Sequence, residues 1–346
     1  MLQRPLIILL TFISISLEAQ IPPNYYFFAE GQTGQQLRLA LKVIIDDHDA
    51  QTYSDLWNHF FDTDQKVSGH VWDMYSDVPG GTPDYTFTFG SDQCGNYSQE
   101  GDCYNREHSF PRSWFDEMPP MDTDLFHIVP SDGYVNGQRS NFPYGEVSSP
   151  TWTSSNGSKR GACSYPGYTG TVFEPIDEYK GDFARGYFYM LTRYMDLIDE
   201  WNSPMLTDDD FSDWAQNLLL DWAAEDTVSD KEIDRNNEIY LIQGNRNPFI
   251  DHPEYITEIW GSTSSIDVVE VQQPTARYQN SSLYLQNISS SLTHLRIYSI
   301  SGRLIYENTL NESNNVVSVE LLNGMYIIEF FGKDSRASVK LIALNE

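Results

Sequence analysis

The chain has 346 residues and carries 18 Phe, 22 Tyr and 8 Trp, which is long enough for two domains and aromatic enough for a sizeable core; a disordered or fibrous protein is excluded. Its formal net charge is -29, so no general basic surface exists to attract a polyanion. Such a partner would need a local positive strip, a bound cation, or both.

Taken in chain order, the first element is an export signal over residues 1–19. Arg4 supplies its positive charge, Pro5 to Ile15 is apolar apart from Thr11 and Ser14, and Leu17-Glu18-Ala19 offers a small residue before Gln20. A membrane anchor is the other use of such a run, but it is shorter than the ~20 residues a span requires. No later segment is long and apolar enough to span either, so a secreted, extracellular or cell-surface protein is expected, acting as a monomer. Export permits disulfides. Cys94 and Cys103 are close, with Gly95, Asn96 and Gly101 to let the loop close, so a bridge between them is expected, leaving Cys163 unpaired.

Four helices follow from apolar spacing. The first spans Gly31 to Asp46, with Leu37, Ala40, Leu41, Ile44 and Ile45 on one face and a capping box of Thr33 with Gln36. The second runs from about Gly181 to Trp201 along Phe183, Tyr187, Met190, Leu191, Tyr194 and Ile198. The third covers Asp213 to Glu225, and the fourth runs from Ser229, boxed by Glu232, to about Ile242. Between the first and second, Ser76 to Ser164 is rich in Gly, Pro, Asn, Asp and Ser. A long irregular segment inside a compact domain is usually functional or disordered, and its aromatics and cysteine pair argue against disorder.

The chemistry is concentrated there. In Cys103-Tyr104-Asn105-Arg106-Glu107-His108-Ser109-Phe110-Pro111-Arg112, glutamate and histidine are adjacent. On an extended segment they point to opposite sides, so one can hold a metal while the other faces the water to be activated. A histidine near neutral pKa suits that proton transfer. An isolated Glu-His pair is more often structural, but here Asp124-Leu125-Phe126-His127-Ile128-Val129-Pro130, Val135-Asn136-Gly137-Gln138-Arg139-Ser140-Asn141, Gly181-Asp182-Phe183-Ala184-Arg185 and Gln243-Gly244-Asn245-Arg246-Asn247-Pro248-Phe249 follow in order.

This set resembles the endonuclease I family of secreted bacterial nucleases, among the His-Me finger or ββα-metal nucleases, over roughly Tyr25 to Trp260. The resemblance implies that His108 is the general base and that Glu107 and Asn136 are the protein ligands of one divalent cation. Oxygen ligation favours Mg²⁺, with Mn²⁺ or Ca²⁺ as alternatives. Some members place a phosphate-contacting arginine in an insertion between the histidine and the ligand asparagine. Here that interval is short, and Arg112 and Arg139 are the candidates, Arg139 also reading as a fold-holding ion pair. His127 reads as structural rather than as a ligand, and His48, His59, His70 and His252 fall in no constellation.

Composition shifts at Ser262-Thr263-Ser264-Ser265, the start of a linker expected over residues 262–280. Strand patterns follow over Leu295 to Ile300, Arg303 to Glu307, Val316 to Leu321, Met325 to Phe331 and Ser338 to Ile342, which make residues 281–346 a small all-β sandwich. Leu295 to Leu304 followed by Leu322-Asn323-Gly324-Met325-Tyr326 resembles the sorting domain of type IX secretion cargo, although the Pro-Asn-Pro entry motif is absent. An ordinary adhesion or carbohydrate-binding sandwich is the other reading.

The sequence therefore predicts an α+β protein, a ββα-metal nuclease domain over residues 20–261 followed by a β-sandwich. The expected partners are a DNA or RNA substrate and the type IX machinery. The alternatives are a phosphodiesterase on small phosphate esters and a non-catalytic binding protein on the same fold.

Overall fold

A computed structural model describes residues 21–261, 274–279, 281–300, 302–310, 316–333 and 335–343. The expected signal and most of the expected linker lie outside these residues. The architecture is α+β followed by an all-β region, as expected.

Helix α1 (Gly34–Ile45) buries Leu37, Ala40, Leu41 and Ile45. Its expected capping box is not formed. The chain enters through Gly31 and Gly34, both at positive φ, and Thr33 makes no side-chain cap bond. After α2 (Leu56–Thr63), strands β1 (Tyr104–His108) and β2 (Ile128–Asp132) pair antiparallel, with Glu107 opposite Val129 and His108 opposite Ile128. Helix α3 (Gly133–Arg139) leaves β2 without a connecting loop. A three-stranded sheet follows, in the order β3 (Pro150–Thr153), β4 (Lys159–Ala162), β5 (Thr171–Glu174).

The core of this part is α4 (Lys180–Arg193). Phe183, Tyr187, Phe188, Tyr189, Met190 and Leu191 are buried around nearly its whole circumference, as a central helix requires. It ends eight residues before the expected limit. Asp196, Asp199 and Glu200 would lie at the negative end of a longer helix, whereas Arg193 in the last turn suits that end. After the short pair β6 (Leu206–Thr207) and β7 (Asp210–Phe211), α5 (Asp213–Glu225) packs on α4. Helix α6 (Asp230–Gln243) opens with the expected Ser229–Glu232 capping box and ends on Gly244 in the left-handed region. Helices α7 (Pro248–Asp251) and α8 (Glu254–Trp260) close the domain.

The C-terminal strands are β8 (Thr275–Gln279), β9 (Ser282–Gln286), β10 (His294–Ser299), β11 (Leu304–Thr309), β12 (Val316–Ser318), β13 (Gly324–Phe331) and β14 (Arg336–Ala343). They form one sheet ordered β11-β10-β13-β14 and another ordered β12-β9-β8, sharing a core of Leu283, Leu285, Ile297, Ile328 and Phe330. Strand β8 pairs with β9, so the sheet begins inside the stretch expected to be linker.

Candidate active site

The β1–β2–α3 unit builds the site. Asp132 ends β2 and caps α3: its Oδ1 accepts the Val135 amide at 2.9 Å. Its Oδ2 accepts the Gly101 amide at 2.7 Å, and the Gly133 amide donates to the Cys103 carbonyl at 2.9 Å. The loop closed by the Cys94–Cys103 disulfide, with Cα atoms 5.7 Å apart, thus ties the start of β1 to the start of α3. Cys163 is free, as expected.

Alternation along β1 sends Asn105 and Glu107 towards α3, where Asn136 and Arg139 lie one turn apart on the facing surface. Asn136 Nδ2 donates to Asn105 Oδ1 at 2.7 Å. Arg139 lies 3.1 Å from Glu107 Oε1, which also accepts the Tyr75 hydroxyl at 2.9 Å. Glu107 is only 2% exposed. Burial pushes its carboxyl up, and Arg139 and Tyr75 pull it back, to about 7.

His108 faces the other way. Its Nε2 lies 3.1 Å from the Asp122 carbonyl oxygen. A carbonyl can only accept, so Nε2 carries the proton and Nδ1 keeps the lone pair. Asp122 Oδ1 stands 3.5 Å from the same nitrogen. The ring lies parallel to Tyr53, centroids 6.1 Å apart. Burial holds the His108 pKa below the ordinary imidazole value, with Asp122 opposing and Arg112 reinforcing that shift, so the ring is neutral at neutral pH.

Neither phosphate-contact candidate is a free cation. Arg139 is 1% exposed and is consumed by Glu107 and by the His108 and Ser109 carbonyls, the arrangement of its fold-holding alternative. Arg112 is bound by Asp122 and, at 3.3 Å, by Glu117. His127 is buried, bonded through Nε2 to the Met121 carbonyl at 2.7 Å, and pushed down by burial to about 4. His48 is buried beside Asp124 and Arg193, His59 meets Gln51, and His252 meets Glu254.

Glu107 Oε2 and Asn136 Oδ1 accept no hydrogen bond from the described residues, and neither is sealed from solvent. One carboxylate and one amide oxygen suit a hard divalent cation completed by water and substrate oxygens. No group of three or more His, Cys, Asp or Glu is arranged to hold a metal among the described residues. The sequence reading missed Tyr53, Tyr75 and Asp122. Asp122 acts largely through its backbone, which no residue type advertises, and the tyrosines look like any core aromatic.

The family model for Endonuclease I matches residues 33–254, and that for the secretion system C-terminal sorting domain matches residues 279–344. The chain is similar to an extracellular ribonuclease of Bacillus subtilis (strain 168), 35% identical over 249 residues, covering 68% of this chain and 78% of that protein. An extracellular ribonuclease of Bacillus amyloliquefaciens is 34% identical over 252 residues, with the same coverage of each. Endonuclease-1 of Buchnera aphidicola subsp. Baizongia pistaciae (strain Bp) is 34% identical over 131 residues, 38% of this chain and 46% of that protein.

Proposed function

The chain belongs to the endonuclease I family, and from that premise we propose that it is a metal-dependent endonuclease hydrolysing DNA and RNA phosphodiesters without strong sequence preference, with His108 as general base. It is a secreted nuclease with a sorting tail, and no described helix is long and apolar enough to cross a membrane. RNA stands beside DNA because two relatives covering most of the nuclease part are named ribonucleases.

The observation that carries the reading is the orientation of His108. With Nε2 anchored on the Asp122 carbonyl, Nδ1 is left to accept a proton. It takes that proton from a water, whose oxygen bonds to phosphorus as the bond to one bridging ester oxygen breaks. The imidazolium so formed is held by the Asp122 carbonyl and carboxylate. Glu107 and Asn136 would hold a divalent cation, Mg²⁺ by donor chemistry, which when bound neutralises charge on the phosphate and its leaving oxygen. Arg139 fixes Glu107 and is a positioning residue. Recognition through the backbone rather than the bases makes cleavage sequence-tolerant.

Nicking of supercoiled DNA and digestion of RNA, with EDTA, Mg²⁺, Mn²⁺ or Ca²⁺ and with a small chromogenic diester in parallel, test the reading. His108→Ala should lose about 10²–10⁴ in rate or more while keeping metal binding. Glu107→Gln, which fills the same space, should lose activity that excess metal partly restores. Loss of metal binding in His108→Ala but not in Glu107→Gln would reverse the roles. Turnover of the small diester alone would replace the nuclease by a phosphodiesterase, and no turnover of any ester by a binding protein.

A further inference from the structure

We propose that Arg106 is the residue that binds a backbone phosphate of the nucleic acid beside His108; this rests on the nuclease reading above. Arg106 lies two residues before His108 on β1 and therefore on the same face. Both meet Tyr53, whose ring lies parallel to His108 while the Arg106 guanidinium carbon sits 3.8 Å from its centroid. Trp57 takes the same guanidinium at 4.5 Å.

The guanidinium is held in place before any substrate arrives. Nη1 donates to the Tyr53 carbonyl at 2.6 Å, and Nε is buried with no partner. Nη2 makes no hydrogen bond to the described residues and is not sealed from solvent. A cation fixed by a carbonyl and two rings loses little freedom on meeting an anion.

Its charge environment sets the same residue apart. Among the described residues, every lysine and arginine between residues 21 and 261 except Arg106 and Arg160 lies within 4.0 Å of a carboxylate. Arg160 is on β4 and donates to the Gln138 carbonyl and side chain at 3.4 and 2.7 Å. Among the described residues Arg106 is therefore the cation on the face of His108 that makes no ion pair within 4.0 Å. A half-buried guanidinium whose facing carboxylate, Asp122, lies beyond ion-pair distance and is already bound to Arg112 is costly, and a phosphate oxygen at Nη2 supplies a closer anion.

Binding of a short labelled single strand, in the His108→Ala background between about 50 and 200 mM salt, tests this. Arg106→Gln should weaken binding about 10- to 100-fold. It should also lower the slope of log affinity against log salt by about 0.7–1, the share of one phosphate. In the active enzyme it should lower kcat/KM by a similar factor, while Arg106→Lys keeps the salt slope. Arg160→Gln removes the same charge and should leave slope and kcat/KM unchanged. Equal losses in Arg106→Gln and Arg160→Gln, or none in Arg106→Gln, overturn the assignment. Should Arg106→Gln not fold, arginine-specific labelling of the wild type decides. Protection of Arg106 by nucleic acid supports the contact, and equal labelling with and without it refutes it. A protein that binds through Arg106 but cleaves nothing would sink the nuclease reading alone, whereas a nuclease indifferent to Arg106 would sink this proposal alone.

Discussion

Asp124 is fully buried, yet it accepts hydrogen bonds from four protein groups. The Tyr189 and Tyr194 hydroxyls donate to Oδ2 at 2.8 and 2.7 Å, and the Phe126 amide and Gln243 Nε2 to Oδ1, both at 3.1 Å. Burial alone would raise its pKa, but His48, His127 and the donated bonds outweigh it, and the carboxyl is held below its ordinary value. The unfolded chain then binds more protons than the folded one as pH falls through that interval. The stabilisation is complete above the ordinary carboxylate value, near about 4, and is lost as pH drops through the lower folded value. Asp124→Asn should therefore cost about 1.5–3 kcal/mol at neutral pH, with a gap to wild type that closes on acidification. Denaturant melts across pH check this, and a gap constant down to strongly acid pH would rule it out. At this scale the sequence exposed only part of the site. Glu107, His108 and Asn136 stood in recognisable order because the roles proposed for them belong to their side chains. Asp122 and Tyr53 did not, since a backbone carbonyl and an aromatic face carry no pattern of their own.

The element that depends most on its neighbours is α3. With seven residues it is too short to persist alone, so it relies on the Asp132 cap and on the disulfide loop holding Asp132 and Gly133. Replacing Cys94 and Cys103 by serine should cost on the order of 2–3 kcal/mol through loop entropy. Because Asn136 rides on α3 and Glu107 on β1, kcat/KM should fall even well below the melting temperature. Thermal melts paired with cleavage rates test this, and full activity in the folded variant would limit the bridge to a structural role. Helices α5 and α6 were legible to within a residue because an apolar stripe, and for α6 the Ser229–Glu232 capping box, are local signals. Strands β3 to β5 were not. They are four residues each, β3 is largely exposed, and they lack the alternation that marks a half-buried strand. Helix α4 was found but overextended, because apolar spacing continues past Arg193 although its charges do not favour a helix there.

Across the whole molecule, the tail touches the nuclease part away from the site. Lys340 on β14 lies 3.1 Å from Asp46 and 2.6 Å from Asp47, just beyond α1, and Tyr298 meets Phe27 and Phe28 edge-on at 5.8 and 5.5 Å. None of these residues belongs to the β1–β2–α3 unit. A chain ending at Gly261 should keep its kcat/KM on DNA and RNA. Its Tm should fall only modestly, since the tie amounts to partly exposed ion pairs and one aromatic contact, and such ion pairs contribute about 1 kcal/mol or less each. A large drop in turnover with the fold intact would make the tail part of the enzyme.

The near-complete pairing of lysines and arginines with carboxylates between residues 21 and 261 bears on how the enzyme travels along its substrate. Sliding requires many interchangeable phosphate contacts, so that one forms as another breaks. A nuclease part in which, among the described residues, Arg106 is the cation without an ion pair on the face of His108, inside a strongly acidic chain, offers no second foothold of that kind there. On that proposal each cut should be followed by release, with successive cuts falling on different molecules. Early digests should carry scattered nicks across the whole population, and a few strands degraded to completion beside intact ones would rule this out.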